Sequence, residues 1–194
     1  KGVYDFVEAA KWLKAQGYKV KFKLAGALYP GNPTAISEET LVSWESDGLV
    51  EWLGHVDNIE EVIAEADVVV LPSHGGEGVP KILIEAAAMG KPLVATDVPG
   101  CRDVVESGIN GFLVPPKDFE PLADAIETLL ENGELRQKMG RTGREKAIQD
   151  FDVKDVVRKT LDVYTQMGAL NMLKVPNLTT TVSKGDRTSI GLKV

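Results

Sequence analysis

Residues 67–90 read DVVVLPSHGGEGVPKILIEAAAMG, and the architecture of the chain can be worked out from this stretch. Val68-Val69-Val70-Leu71 shows no polar alternation, which is how a strand buried on both faces of a sheet reads. Residues 72–81 are turn chemistry with three glycines. Residues 80–89 then read as a helix, with Pro80 suited to the first helical position and Gly90 to the stop. Strand, turn and helix in that order form the repeating unit of a parallel α/β sheet.

The same unit recurs on either side. Val3, Phe6, Val7, Ala10 and Leu13 keep helical spacing and end at Gly17. Residues 19–25 (KVKFKLA) predict a strand, and residues 26–33 a turn. Ser37 before Glu38 and Glu39 predicts a capped helix start. A strand at 49–53, a helix at 58–66 and the strand at 67–71 follow. Downstream come strands at 92–96 and 111–114 and helices starting near Pro121, Gly133 and Val153. The fold class expected is α/β: a doubly wound, Rossmann-like parallel sheet with helices on both faces.

Composition limits the function. The 194 residues are 43% hydrophobic, enough for one real core. A net charge of -7, from 22 basic and 29 acidic residues, argues against a general nucleic-acid binder. It does not exclude a small anion held by a helix N-terminus. Cys101 is the single cysteine, so neither a disulfide nor a Cys-rich zinc site is expected. No run approaches the 18 or so apolar residues of a membrane span. The chain opens at Lys1 without an apolar leader and reads as a fragment of something longer. The expected domain is residues 1–167. Residues 168–194 are expected to be a tail, either a strap crossing to another domain or a disordered end. Thr and Ser are dense in it, and Lys174, Lys184, Arg187 and Lys193 outnumber Asp186.

Open α/β sheets bind ligands beyond the carboxyl ends of their strands. The turn after Leu71 is the richest such end here. Gly75, Gly76 and Gly78 allow close approach to the backbone, free N–H groups are expected near 78–81, and Lys81 adds a positive charge. A diphosphate site is one reading; a plain loop before a routine helix start is the other. Glu85 lies in Ile82-Leu83-Ile84-Glu85-Ala86-Ala87-Ala88, where a carboxylate is costly unless partnered. It could accept hydrogen bonds from sugar hydroxyls, or it could sit with Lys81 on the one exposed stripe of the helix.

Glu77 and Glu85 together spell Glu-x7-Glu across the loop and helix. With GKPLVATDVPG at residues 90–100 and GINGFLVPP at 108–116, the stretch from Leu71 to Asp118 closely resembles the donor-binding domain of family 4 GT-B glycosyltransferases. The resemblance runs from Lys1 to about Met167. It implies that Glu77 meets the donor hexose, that Glu85 binds ribose hydroxyls, and that backbone around Gly78, Val79, Lys81 and Ile82 holds the diphosphate or the sugar. Lys1-Gly2 resembles the end of an Arg-x(4–5)-Lys-Gly pattern, which would make Lys1 a phosphate-neutralising, catalytic group beside Glu77. Gly54, His55 and Val56 resemble the edge against which the base rests, and Gly26 another loop lining the cleft. The loop His74-Gly75-Gly76 is one residue longer than the commoner Ser-Tyr-Arg-Glu-Gly form, which leaves sugar specificity open.

Other signals carry less. His55 and His74 are the only histidines and lack metal-ligand spacing, so no metal site is expected. Asp150-Phe151-Asp152 reads as helix capping rather than a metal-binding Asp-x-Asp. Residues 24–28 never complete a dinucleotide fingerprint, and Gly90-Lys91 lacks the upstream glycine of a P-loop. Trp12, Trp44 and Trp52 read as core or rim.

The resemblance implies the donor-binding half of a retaining, metal-independent glycosyltransferase. It would move a hexose from UDP- or GDP-hexose, its donor substrate, to a glycan or lipid-linked glycan, with no cofactor. The partners implied are an N-terminal acceptor domain in the same polypeptide and the two small substrates, with no nucleic acid and no membrane span. The expected location is cytoplasmic, or the inner membrane face for the full-length protein. By itself the fragment should bind without turning over. A nucleotide-sugar epimerase of the same architecture and a non-catalytic nucleotide-binding or scaffold domain are the alternatives. The acid inside an apolar helix speaks against a scaffold.

Overall fold

The structure, a computed structural model, describes residues 1–28, 35–76 and 78–166. Glu77 and the proposed tail boundary at 167/168 lie outside the described residues. The chain divides into two compact units, Lys1–Asp152 and Val153–Val194.

In the first unit, strands and helices alternate: α1 (Val3–Ala15), β1 (Lys23–Ala25), α2 (Glu38–Ser46), β2 (Glu51–Gly54), α3 (Ile59–Glu65), β3 (Val69–Leu71), α4 (Lys81–Ala88), β4 (Leu93–Thr96), α5 (Pro99–Arg102), β5 (Gly111–Val114), α6 (Phe119–Glu131) and α7 (Gly133–Phe151). All strand pairs are parallel: β1 with β2, and β3 with β4 with β5. In the second unit, α8 (Val153–Gln166) is the described element.

Helices on both faces follow from the pleat of β4. Successive strand side chains point to opposite faces. Val94 joins a core with Phe6, Val7, Leu13, Leu122 and Leu129 of α1 and α6. Its neighbours Leu93 and Ala95 join another with Ile63, Leu83, Ala86 and Ala87 of α3 and α4. Each fully buried Leu or Val contributes about 1.5–3 kcal/mol, whereas an exposed ion pair gives roughly 0–1. The two cores therefore hold the unit together.

Local chemistry sets the ends. Ser37 accepts the amide of Thr40 at 3.2 Å and caps α2 as expected. Asn132 does the same for Leu135 at the start of α7. Asn110 is completely buried yet satisfied, its Oδ1 accepting from the Glu106 amide and its Nδ2 donating to the Val104 carbonyl. Gly140 of α7 rests on the Gly90 carbonyl, where a Cβ would overlap the oxygen. That close approach seats α7 against the end of α4.

Four expectations need correction. Strand 19–25 shortens to Lys23–Ala25, because a ladder forms only where β2 runs alongside. Residues 68–71 are half-buried rather than fully buried, since β3 is the edge of its three-stranded sheet and β4 the centre. Pro80 is the N-cap residue of α4, with extended backbone, instead of its first helical residue. Asp150 lies inside α7 and pairs with Lys146 at 2.8 Å, so it caps nothing, while Asp152 sits at the junction before α8.

Candidate functional site

The loop after β3 has an anchored root. Pro72 and Ser73 are buried. Gly2, immediately before α1, adopts a left-handed φ of 71°, and a Cβ there would overlap the Pro72 carbonyl oxygen. Only glycine fits that contact. The buried Thr96 hydroxyl, at the carboxyl end of β4, donates to the Ser73 carbonyl. His74 Nε2 lies 2.5 Å from Asp5 Oδ2 on the first turn of α1. Beyond His74 the chain turns through Gly75 and Gly76, both at positive φ, with open space around each.

The loop ends on a helix N-terminus. Pro80 offers no side-chain cap, and its carbonyl accepts the Leu83 amide at 3.1 Å. The amides of Lys81 and Ile82 precede that bond, in the position where a helix has no acceptor of its own. Their positive end of the helix dipole suits an anion. Gly78, Val79 and Lys81 are exposed around it, and Ile82 is half-buried.

Lys81 and Glu85 are brought together. Lys81 Nζ lies 3.1 Å from Glu85 Oε1, one turn along α4. The Glu85 side chain is 31% exposed and Lys81 88%. Glu85 is therefore not a carboxylate sealed among apolar groups. It stands on the polar stripe with Lys81, the second of the two readings of the sequence, and that stripe is open to a ligand.

Gly26 and Gly54 also meet. Gly26 follows the carboxyl end of β1 and Gly54 is the last residue of β2, and the Gly26 amide donates to the Gly54 carbonyl at 2.8 Å. The Gly26 carbonyl in turn accepts from the Trp52 indole at 2.9 Å, so the rim is backbone held by an aromatic. His55 is exposed and lies 3.3 Å from Asp57 Oδ1; Val56 is half-buried. Lys1 is exposed at the start of the segment that contacts Pro72.

At the carboxyl end of β4, Arg102 Nε donates to Asp97 Oδ1 at 2.6 Å, and the guanidinium also reaches the Asp97 carbonyl. This hydrogen bond holds the Asp97 carboxyl below its ordinary range. Among the described residues, no three His, Cys, Asp or Glu side chains converge where they could hold a metal ion. Sequence reasoning missed the Asp5–His74 contact because it weighs His74 as a metal ligand and as a residue of the donor loop, not as a partner of α1. Its signal was weak: an acid one turn into a helix and a distant histidine.

The chain is similar to known proteins throughout this region. The family model described as Glycosyl transferases group 1 matches residues 1–132. An N,N'-diacetylbacillosaminyl-diphospho-undecaprenol alpha-1,3-N-acetylgalactosaminyltransferase from Campylobacter jejuni is 33% identical over 167 residues, which is 86% of this chain and 42% of that protein. Anabaena HepE, solved in complex with UDP, superimposes with a TM-score of 0.76 at 28% identity, covering 86% of this chain and 45% of that one. The C-terminal domain of a group 1 family protein from Francisella tularensis shares the fold, with a TM-score of 0.68 at 24% identity over 79% of this chain and 80% of that one. The chain thus spans less than half the length of the curated relative. Among the described residues, no helix is long and apolar enough to cross a membrane.

Proposed function

Since this chain belongs to the group 1 glycosyl transferases and has the fold of a GT-B C-terminal domain, we propose that it is the nucleotide-sugar-binding half of a hexosyltransferase. The observation that carries this reading is the turn from β3 into α4. Glycines with open space around them lead to an uncapped helix start that bears Lys81 and Glu85 on one stripe.

The roles follow from the chemistry. A nucleoside diphosphate brings more negative charge than Glu85, so it draws the exposed Lys81 ammonium toward the helix N-terminus. Glu85, released from Lys81, accepts hydrogen bonds from ribose hydroxyls. Amides of Gly78, Val79, Lys81 and Ile82 cradle the diphosphate. Gly26, Gly54, His55 and Val56 form the rim for the base. Lys1 and Lys81 stabilise the charge that builds on the departing diphosphate. Glu77 positions the hexose, a role that rests on its place in Glu-x7-Glu.

Transfer proceeds with retention and without a metal, to a glycan or lipid-linked glycan bound by an N-terminal domain of the same polypeptide. The Campylobacter relative, whose name gives a diphospho-undecaprenol-linked acceptor, supports a lipid-linked one. HepE, solved with UDP, supports a uridine donor over a guanosine one. In this reading residues 1–167 are the donor domain, working in the cytoplasm or at the inner membrane face.

The test is titration of the chain with UDP and GDP in the presence of a chelator, followed by calorimetry or NMR. Half of the cleft lies outside the chain, so the expected Kd is weak, roughly 0.1 mM to several mM. No response to any nucleoside diphosphate would overturn the proposal.

A further inference from the structure

We propose that Asp5 and His74 are a positioning pair that holds the donor loop and the start of α1 in one frame. The inference rests on the donor-site reading above and extends it to two residues outside the proposed ligand contacts.

Among the contacts that fasten residues 72–74, two come from α1 and the glycine just before it. Gly2 abuts the Pro72 carbonyl. Asp5, only 20% exposed, meets His74, 37% exposed, at 2.5 Å. Because the carboxylate can only accept, His74 presents an Nε2–H donor. Asp5 is the better covered of the two, so the carboxylate is the fixed side of the bond and the exposed imidazole the side it holds. A further contact, from Thr96, ties Ser73 to the centre of the sheet.

His74 is followed by Gly75 and Gly76, both at positive φ and both with room where a Cβ would stand. The contact at His74 therefore fixes the chain where it enters that glycine pair, ahead of Gly78, Val79 and Lys81 in sequence. The same contact fixes the first turn of α1, directly after Lys1. In the proposed site, Lys1 and the α4 amides act on one diphosphate from two segments distant in sequence. Asp5–His74, with Gly2–Pro72, spans those segments directly. Releasing it leaves both cores intact but lets the two cationic elements drift apart.

The experiment uses the 194-residue chain with His74→Ala, Asp5→Ala, the double variant, and His74→Gln, whose amide can still donate to Asp5. Backbone amide hydrogen exchange is read first, without nucleotide. Either alanine variant should speed exchange both at residues 73–76 and in the first turn of α1, while β4 stays protected. Unchanged exchange at both places would overturn the pair. UDP affinity is read second. Each single alanine variant should weaken UDP roughly five- to twentyfold, the double variant no more than a single one, and His74→Gln should restore most of the loss. Wild-type binding with all variants within about twofold of it would reduce the pair to a structural contact and overturn the inference. A wild type that binds neither UDP nor GDP would sink the donor-site reading itself, and the exchange data would then judge the pair alone.

Discussion

Lys81 and Glu85 form an ion pair of 3.1 Å on the face of α4 that begins beyond the glycine loop, and neither residue is buried. A cation and an anion one turn apart at a helix start can each exchange their partner for a part of a ligand. The lysine is suited to phosphate and the glutamate to sugar hydroxyls, and both are released by the same molecule.

Glu85→Gln tests the second half of that exchange. Loss of a charged acceptor costs on the order of 1.5–3 kcal/mol, or about ten- to a hundredfold in UDP affinity. The ion pair itself is of the exposed i,i+4 kind, worth roughly 0.3–0.5 kcal/mol. Thermal unfolding should barely move. A lowered Tm with unchanged UDP affinity would mark Glu85 as purely structural.

Lys81→Met tests the first half. UDP should bind on the order of tenfold more weakly, while UMP, with one phosphate fewer, should lose less. Calorimetry with the two nucleotides decides it. Equal losses would move the lysine away from the diphosphate.

Glu77→Ala belongs in the whole protein. Its proposed partner is the hexose, so transfer should fall much further than affinity for bare UDP. Steady-state kinetics beside UDP titration gives both numbers, and unaltered kcat/KM would remove Glu77 from the mechanism.

Gly140→Ala addresses the fold. The added methyl meets the Gly90 carbonyl, and α7 must shift away from the end of α4. Overpacking of this kind costs about 1–3 kcal/mol, so Tm should drop by several degrees in a thermal melt. A neutral result would show that the helix pair yields more easily than its spacing suggests.

Asp97 offers a pH test. Its folded-state carboxyl is held below the ordinary value of 3.8 by the Arg102 hydrogen bond. A depressed acid stabilises the fold above its unfolded pKa, and that contribution fades as pH falls through the lower folded value. Asp97→Asn should therefore flatten the loss of Tm below about pH 4 and reduce Tm slightly at neutral pH. Identical acid limbs in the two proteins would place Asp97 outside the acid response.

Much of this architecture was legible in the residues because period and punctuation agree. Gly111–Val114 is a strand with the bounds expected of it, and Gly17 and Gly90 end their helices at positive φ. Misreadings came where tertiary context decides. Val69–Leu71 looks doubly buried from composition, yet an edge position leaves it half-covered. Residues 19–25 keep strand chemistry throughout, yet only Lys23–Ala25 has β2 beside it. At the candidate site, residue types and order were readable, as Gly78, Lys81 and Glu85 illustrate. Partnerships were not: Lys81 with Glu85 requires knowing which stripe faces out, and Asp5 with His74 spans 69 positions that no local pattern connects.

The placement of β4 bears on how the first unit unfolds. All four of its side chains are buried, and adjacent residues belong to opposite cores. Neither layer can melt while the other survives, because whichever goes first strips half of the packing from the same strand. Loss of structure in residues 1–152 should thus be all-or-none, with the amides of Val94 and Ala95 the last to exchange. The donor loop, tied at Ser73 to Thr96 of this strand, is thereby rooted in the part of the unit expected to open last.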